Sequence, residues 1–477
     1  MGKEKMKTVF LAMLFVLSVL LTHKLWIIIP SGELFPSEVD EAVEEELNIY
    51  DEILSPQSYI YNFGGGYHTI FFTDPNGTWT EVADMVDAFI EEDFAYETLS
   101  EEQWQEANEY KSVKLQFSFP VPLELFYSDY KEWNLGEGMD AIDSLLIPAT
   151  ERNVLYIADK SKGIHLKLKG ENTGGEIASK IDGVKSIDHT DYFKTEDILG
   201  IDSDILLPIN FDEEIPSVDM TAEIEVSDKT QITAMAGRIF GENFDFIKKI
   251  EENDGSVLYI SSYGEKVLRI QADGLLEYTE KLEKQIQSPS PDRLESLKRA
   301  VYFVRNNGGW PSGAYISDSL SIEKSGMKGY RFLFNYKING YPVLEAAGEG
   351  NGAISVDVYG NSVTYYKRRV LREKMDVGEG ASASSRMVIV PQKVIDRNFR
   401  EIAAAYIVDN GLDISEISMD QLLFDILSSI DNIQMAYYLD DKDGKEVLMP
   451  VWRIAAESRI YYFNVRNGEI MYRGRIE

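Results

Sequence analysis

The stretch that most constrains this chain is Thr8 to Ile29, preceded by Lys3, Lys5 and Lys7. From Thr8 to Thr22 it carries no charge and is almost wholly Leu, Val, Phe, Met and Ala. His23 and Lys24 interrupt it before Leu25-Trp26-Ile27-Ile28-Ile29. As one helix these residues would span roughly 33 Å, enough for a hydrocarbon core. Lys24 near the end can snorkel to the headgroups, and Trp26 suits the same interface. Lys3, Lys5 and Lys7 predict a cytoplasmic N-terminus, which leaves everything after Pro30 outside the cell. A cleaved signal peptide is the competing reading. No small-x-small pair lies in the right place, so a retained anchor is favoured. Without cysteine in the chain, a lipoprotein anchor is impossible.

The first thirty residues carry four lysines and one glutamate, and the whole chain of 477 residues is at −34, so residues 31–477 hold −37. Such a surface repels nucleic acid and anionic lipid. The missing thiols exclude a disulfide framework, a thiolate zinc site and a cysteine nucleophile. An apolar content of 44% still provides for real cores, and the length suits two or three exported domains.

Along the chain, residues 31–52 are acidic and read as a stalk. Tyr59, Tyr61 and Phe63, the glycines 64–66, and His68 to Thr73 read as a hairpin, closed by Asp74-Pro75-Asn76-Gly77. Thr80 to Phe94 is expected to be an amphipathic helix with Val82, Met85, Val86, Phe89 and Ile90 inward. Lys114 to Leu125, with Pro120 and Pro122, reads as an edge strand. Asp140 to Leu146 reads as a short helix, Val154 to Ala158 and Ile164 to Leu168 as paired strands, and Asn172 to Ile181 as a helix. Residues 210–285 alternate short strands, such as Val257 to Ser261 and Lys266 to Gln271, with one or two helices.

Gln287 to Asp292 is a linker signal with two prolines and two serines. A helix striped by Leu294, Leu297, Ala300, Val301 and Val304 follows, ended by Asn306-Asn307-Gly308-Gly309. Strands are expected at Ser319 to Glu323, Gly329 to Ile338, Ile354 to Val358 and Val363 to Val370, with a turn at Asn339-Gly340. Gly378 to Ser385 reads as a second linker. The plan then repeats: helices at Gln392 to Val408 and Asp420 to Ser429, then strands at Ile433 to Leu439, Leu448 to Ala456, Arg459 to Val465 and Glu469 to Tyr472. Asp443-Gly444 and Asn467-Gly468 supply turns. The expected class is α+β: residues 1–7 cytoplasmic, 8–29 transmembrane, 30–285 a mixed α/β ectodomain, and two helix-plus-antiparallel-meander lobes at 292–377 and 386–477. The irregular order argues against a doubly wound sheet.

Catalytic patterns are sparse. His23, His68, His165 and His189 lie far apart, and no His-Glu-x-x-His helix occurs, so no metal site or cofactor is expected. His68 reads as a structural histidine. With 81 acidic residues, a carboxylate pair of glycosidase type arises by chance. Ser321-Ile322-Glu323-Lys324 fits Ser-x-x-Lys but shares Lys324 with a Lys-Ser-Gly in an alternating strand, so it reads as coincidence. Pro311 occupies the serine position of Gly309 to Gly313, which rules out a nucleophile elbow. Asp441 to Gly444 misses the calcium-loop register, and Gly64-Gly65-Gly66 lacks the helix and lysine of a phosphate loop. An enzyme is not expected.

Several phrases carry a family likeness. They are Met6 to Leu11 through Thr22-His23-Lys24-Leu25-Trp26, the Gly-rich strand followed by Trp79, and Tyr330-Arg331-Phe332 through Asn339-Gly340-Tyr341-Pro342-Val343. Pro450 to Ile454, with Tyr461 to Val465 and Gly468-Glu469-Ile470, completes the set. Together they resemble the YycH family, membrane-anchored accessory proteins of the WalK (YycG) cell-wall sensor kinase, and the last phrase also resembles PepSY-type domains. The resemblance implies an extracytoplasmic, non-enzymatic α+β protein that pairs with a YycI-type partner and modulates the kinase, partly through transmembrane helices. Leu11, Phe15, Ser18 and Thr22 share one helical face and are the candidate seam, where hydroxylated residues permit close packing; plain lipid exposure is the competing reading. A PepSY-like inhibitor or chaperone of an exported wall hydrolase or protease, bound through strands of residues 430–477, is the alternative function.

Overall fold

In a computed structural model, apolar alternation from Ser58 onward becomes two large sheets. The structure describes residues 53–91, 94–126, 135, 138–171, 177–201, 203–211, 214–282, 292–344, 352–374, 387–413, 417–442 and 445–475. The expected anchor, the acidic stalk, the linker Gly378 to Ser385 and most of the linker Gln287 to Asp292 lie outside these residues. Among the described residues no helix is long and apolar enough to cross a membrane.

The first sheet holds β1 (Ser58–Gly64), β2 (Tyr67–Phe71), β3 (Ala95–Leu99), β4 (Ser112–Pro122), β5 (Ala141–Pro148), β6 (Val154–Asp159), β7 (Ile164–Lys169), β8 (Tyr192–Lys194) and β9 (Leu206–Pro208). Their spatial order is β3-β7-β6-β5-β4-β1-β2-β8-β9. Helices α1 (Thr78–Glu91), α2 (Glu101–Glu109), α3 (Leu123–Phe126), α4 (Ile177–Lys185) and α5 (Thr195–Leu199) connect these strands. The Asp74 carboxylate starts α1 by accepting from the Thr78 and Trp79 N–H groups, each at 2.8 Å, which satisfies donors a helix start leaves open. Of the predicted stripe, Val82, Met85, Val86 and Phe89 are buried and Ile90 is half-buried. Helix α2 lays Trp104 and Ala107 on Leu146, Val154, Tyr156 and Ala158.

Two expectations fail here. Asp140 to Leu146 is not a short helix: from Ala141 it lies in β5, paired with β4 and β6. Ile142, Leu145, Leu146 and Ile147 are all buried; a strand covered on both faces loses the alternation that marks strands in sequence. Nor is Lys114 to Leu125 an edge strand, because β4 is flanked by β1 and β5. The proline reasoning holds only locally: β1 pairs with Ser112 to Gln116, while Val121 and Pro122 pair with β5 alone, past an irregularity in register. Prolines sit where no ladder donor is needed. Of the helix expected at Asn172 to Ile181, the described part is displaced to Ile177–Lys185.

The second sheet begins with β10 (Val218–Ala222), α6 (Lys229–Phe240), β11 (Lys248–Glu251), β12 (Val257–Ile260), β13 (Lys266–Ile270) and β14 (Leu276–Glu280). It continues through α7 (Arg293–Asn306), β15 (Ala314–Lys324), β16 (Met327–Ile338), β17 (Tyr341–Leu344), β18 (Ile354–Tyr359), β19 (Ser362–Arg368) and β20 (Leu371–Glu373). Last come α8 (Pro391–Asn410), α9 (Met419–Ser428), β21 (Ile430–Lys442), β22 (Lys445–Ala456), β23 (Arg459–Asn464) and β24 (Ile470–Arg475). The main path is β11-β12-β13-β14-β19-β18-β16-β17-β21-β22-β10-β20, with β15 on β16, and β23 and then β24 on β22. The hydrogen-bonded sheet thus runs across residue 285, since Tyr278 of β14 faces Tyr366 of β19.

Each C-terminal segment opens with helix and continues in antiparallel strands, as the sequence predicts. Asp292 caps α7 by accepting from the Glu295 N–H at 3.0 Å, and Leu297, Ala300, Val301 and Val304 are fully buried. The two segments are stitched by a parallel pairing, Val343 with Tyr437 and Leu344 with Tyr438.

At the end of α8, Asp409 accepts from Arg459 Nη2 at 2.9 Å and Arg475 Nη2 at 2.7 Å. Hydrogen bonding from Arg459 leads in holding this carboxyl down to about 2. The stabilisation is therefore complete above the ordinary carboxylate range and is lost as pH falls through about 2. Carboxyl-carbon NMR titration should find Asp409 near 2 and return it toward the ordinary range in Arg459→Met; an ordinary value in the parent would refute the pairing.

Candidate functional site at a three-way junction

The five residues before β1, Ile53 to Gln57, lead the chain into the fold. Ile53 and Leu54 are buried, and backbone bonds tie the segment down: Ile316 N–H of β15 donates to Ile53 O at 3.2 Å, and Gln57 N–H donates to Gln116 O of β4 at 2.7 Å. Gln57 Nε2 reaches Gln434 Oε1 of β21 at 3.4 Å. Five residues thus touch both sheets and both C-terminal segments.

Lys337 of β16 lies beneath them. Its Nζ donates to Phe72 O at 2.7 Å, to Gln57 O at 3.1 Å and, at 3.5 Å, to Pro56 O. It stands 5.4 Å from the Tyr315 ring centre, a cation–π distance. Burial pushes its amine down to about 8, because a desolvated charge is disfavoured. Among the described residues no carboxylate lies within ion-pair distance of it. Backbone fixes its place: Lys337 N–H donates to Gly313 O at 3.0 Å. A Cβ on Gly313 would sit 2.8 Å from Lys337 O, at a φ of +70°, so only glycine fits.

The turn predicted at Asn339-Gly340 follows directly, with φ of +50° and +83°, the signs a tight hairpin turn requires. A Cβ on Gly340 would sit 2.9 Å from Thr73 Cγ2. Asn339 Nδ2 donates to the Tyr437 hydroxyl at 3.2 Å, and that hydroxyl donates to Pro216 O at 3.0 Å. Rings lead outward from Phe72 to Tyr341, tilted at 5.3 Å, and on to Tyr437, edge-on at 6.4 Å. The phrase Asn339 to Val343 is therefore where the first sheet and both C-terminal segments meet. Its polar groups bond to carbonyls and to each other, with no nucleophile placed against a base. What this arrangement does is hold three parts in register.

The seam residues Leu11, Phe15, Ser18 and Thr22, and the interface residues Lys3, Lys5, Lys7, Lys24 and Trp26, lie outside the described residues. Ser321 sits in β15, its hydroxyl accepting from Arg293 Nη2 at 3.0 Å, in keeping with a strand rather than a nucleophile at a helix start. Gly64 to Gly66 turn between β1 and β2 with positive φ throughout. His68 is buried and its Nδ1 lies 3.1 Å from Gly66 O, a satisfied structural histidine. His165 stacks on Trp104 at 4.8 Å. Among the described residues no group of three histidines or carboxylates could hold a metal. Sequence reasoning missed Lys337 and the lead-in segment. The available signal was a charge between the buried Tyr336 and the half-buried Ile338, directly before the Asn339-Gly340 turn.

The chain is similar to a solved YycH structure. This is the crystal structure of YycH from Bacillus subtilis, matched with a TM-score of 0.49 and 16% identity over 88% of this chain and 96% of that chain. No protein-family model and no curated relative matches the chain.

Proposed function

We propose that the chain is a membrane-anchored, non-enzymatic regulator of a two-component histidine kinase of the WalK (YycG) cell-wall-sensing type, paired with a YycI-type partner. The YycH-like phrases of the sequence support this reading. The observation that carries it is that one of those phrases, running from Tyr330 through Val343, meets the lead-in segment Ile53 to Gln57 at Lys337, whose Nζ donates to Gln57 O and Pro56 O. That segment follows the apolar stretch of residues 8–29 and its acidic stalk in sequence. A body built to pass a signal to a membrane helix needs such a tie in the segment that follows the helix in sequence. The protein sits in the cell membrane by one pass, its N-terminus cytoplasmic and its bulk outside.

Co-purification from detergent-solubilised membranes tests this reading. The tagged full chain should retain the sensor kinase, and recovery of neither the kinase nor a YycI-type protein would refute it. A truncation keeping residues 1–31 should still alter expression of kinase-controlled wall genes; no change would discard the Leu11, Phe15, Ser18 and Thr22 seam. One observation favours the PepSY-like alternative: β24 pairs only with β23 among the described strands, which leaves an edge for strand addition. Capture of a wall hydrolase by residues 48–477 without membrane would favour it.

A further inference from the structure

We propose that Ile53 to Gln57 form a strap whose closure is proton-linked, because closing it buries the Lys337 ammonium under peptide carbonyls with no carboxylate to balance the charge. The closed geometry is explicit. Three carbonyls, from Pro56, Gln57 and Phe72, converge on Nζ, and the Tyr315 ring closes the other side. Two of the three belong to the strap itself, so lifting it returns Lys337 to water. The inference goes beyond the functional reading above and stands whichever partner the protein has.

Among the described residues the surrounding elements supply no carboxylate that would hold the charge. The strap residues Ile53, Leu54, Ser55, Pro56 and Gln57 do not titrate. After β2, the first acid is Asp74, whose carboxylate is taken up by the start of α1. From β15, Tyr315 is raised by burial and stays neutral. From the β21–β22 side come uncharged Gln434 and the cation Arg453, which faces Tyr315. Lys337 therefore meets carbonyl dipoles and a ring, and desolvation is what lowers its amine.

The direction of the linkage follows. Strap closed, the amine titrates at about 8; strap open, it returns to its ordinary 10.5. Between those values the open form binds more protons, so rising pH favours closure, and below about 8 the balance no longer changes with pH. The two values give about 25-fold less opening at pH 9.5 than at pH 7. Under the functional reading, the proton-sensitive element is the segment of the body that follows the anchor and stalk in sequence.

Hydrogen exchange read by mass spectrometry on the full chain in detergent micelles tests the strap. Protection factors, already corrected for intrinsic exchange, are compared at pH 7 and 9.5 for peptides covering residues 53–58, where the Gln57 amide reports opening. Protection should rise about 25-fold in the parent protein. In Lys337→Arg, whose guanidinium stays charged, it should not rise. Equal protection at both pH values in the parent overturns the proposal. So does a matching rise in Lys337→Arg, or an equal rise in control peptides from β18, which would mark a global effect.

Discussion

Replacing Arg368 with methionine will destabilise the protein by about 3–5 kcal/mol, the range for breaking a buried ion pair from one side. Arg368 is fully buried. Its Nε and Nη2 grip the two Glu223 carboxylate oxygens at 2.8 and 2.9 Å, and the same guanidinium donates to Gly309 O at 2.9 Å and Gly308 O at 3.1 Å. One side chain thus fastens the end of β19 to the segment after β10 and to the turn that ends α7. Gly308 is required for that approach, since a Cβ there would lie 3.0 Å from the guanidinium carbon. Methionine leaves Glu223 and two carbonyls without a donor. Glu223→Gln keeps one acceptor but leaves the fully buried guanidinium without its counter-charge, so it should also destabilise markedly. Lysine at 368 keeps the charge but not the fork, so it should rescue only partly. Urea unfolding measures all three; a loss below about 1 kcal/mol in Arg368→Met would show that the network is not structural.

Trp452→Ala should cost a similar amount, about 3–5 kcal/mol. The indole is 2% exposed, packs edge-on against Phe211 at 5.7 Å and donates from Nε1 to Ile389 O at 2.7 Å. Truncation opens a cavity and also strands that carbonyl, so two penalties act together. Trp452→Phe keeps most of the volume and should lose mainly the hydrogen bond. The same unfolding assay reads both. Leu320→Ala, at a residue 42% exposed, is the control and should stay within about 0.5 kcal/mol. A Trp452→Ala loss no larger than this control would contradict the packing.

Much of the local structure was legible because its causes are local. The stripe Leu297, Ala300, Val301 and Val304 announces a helix by its spacing, and Asn339-Gly340 announces a turn by needing positive φ. The misreadings have a common cause. Asp140 to Leu146 looks helical because a strand covered on both faces has no polar side to display. Lys114 to Leu125 looks like an edge because its prolines are visible in sequence, whereas the two strands beside its first half come from elsewhere in the chain. Nothing in residues 248–280 shows that they join the sheet of the following helix-and-strand segment, since strand partners are chosen by tertiary fit.

The candidate site divides in the same way. The apolar stretch of residues 8–29, the acidic body and the lack of cysteine are properties of the chain alone, and so is the YycH-like order of its phrases. The meeting of Gln57 with Lys337, 280 residues on, and with Gln434, 377 residues on, was decided only when the sheets packed. Spacing and composition act over a few residues, whereas desolvation of a lysine and convergence of three carbonyls upon it depend on which surfaces come together in space.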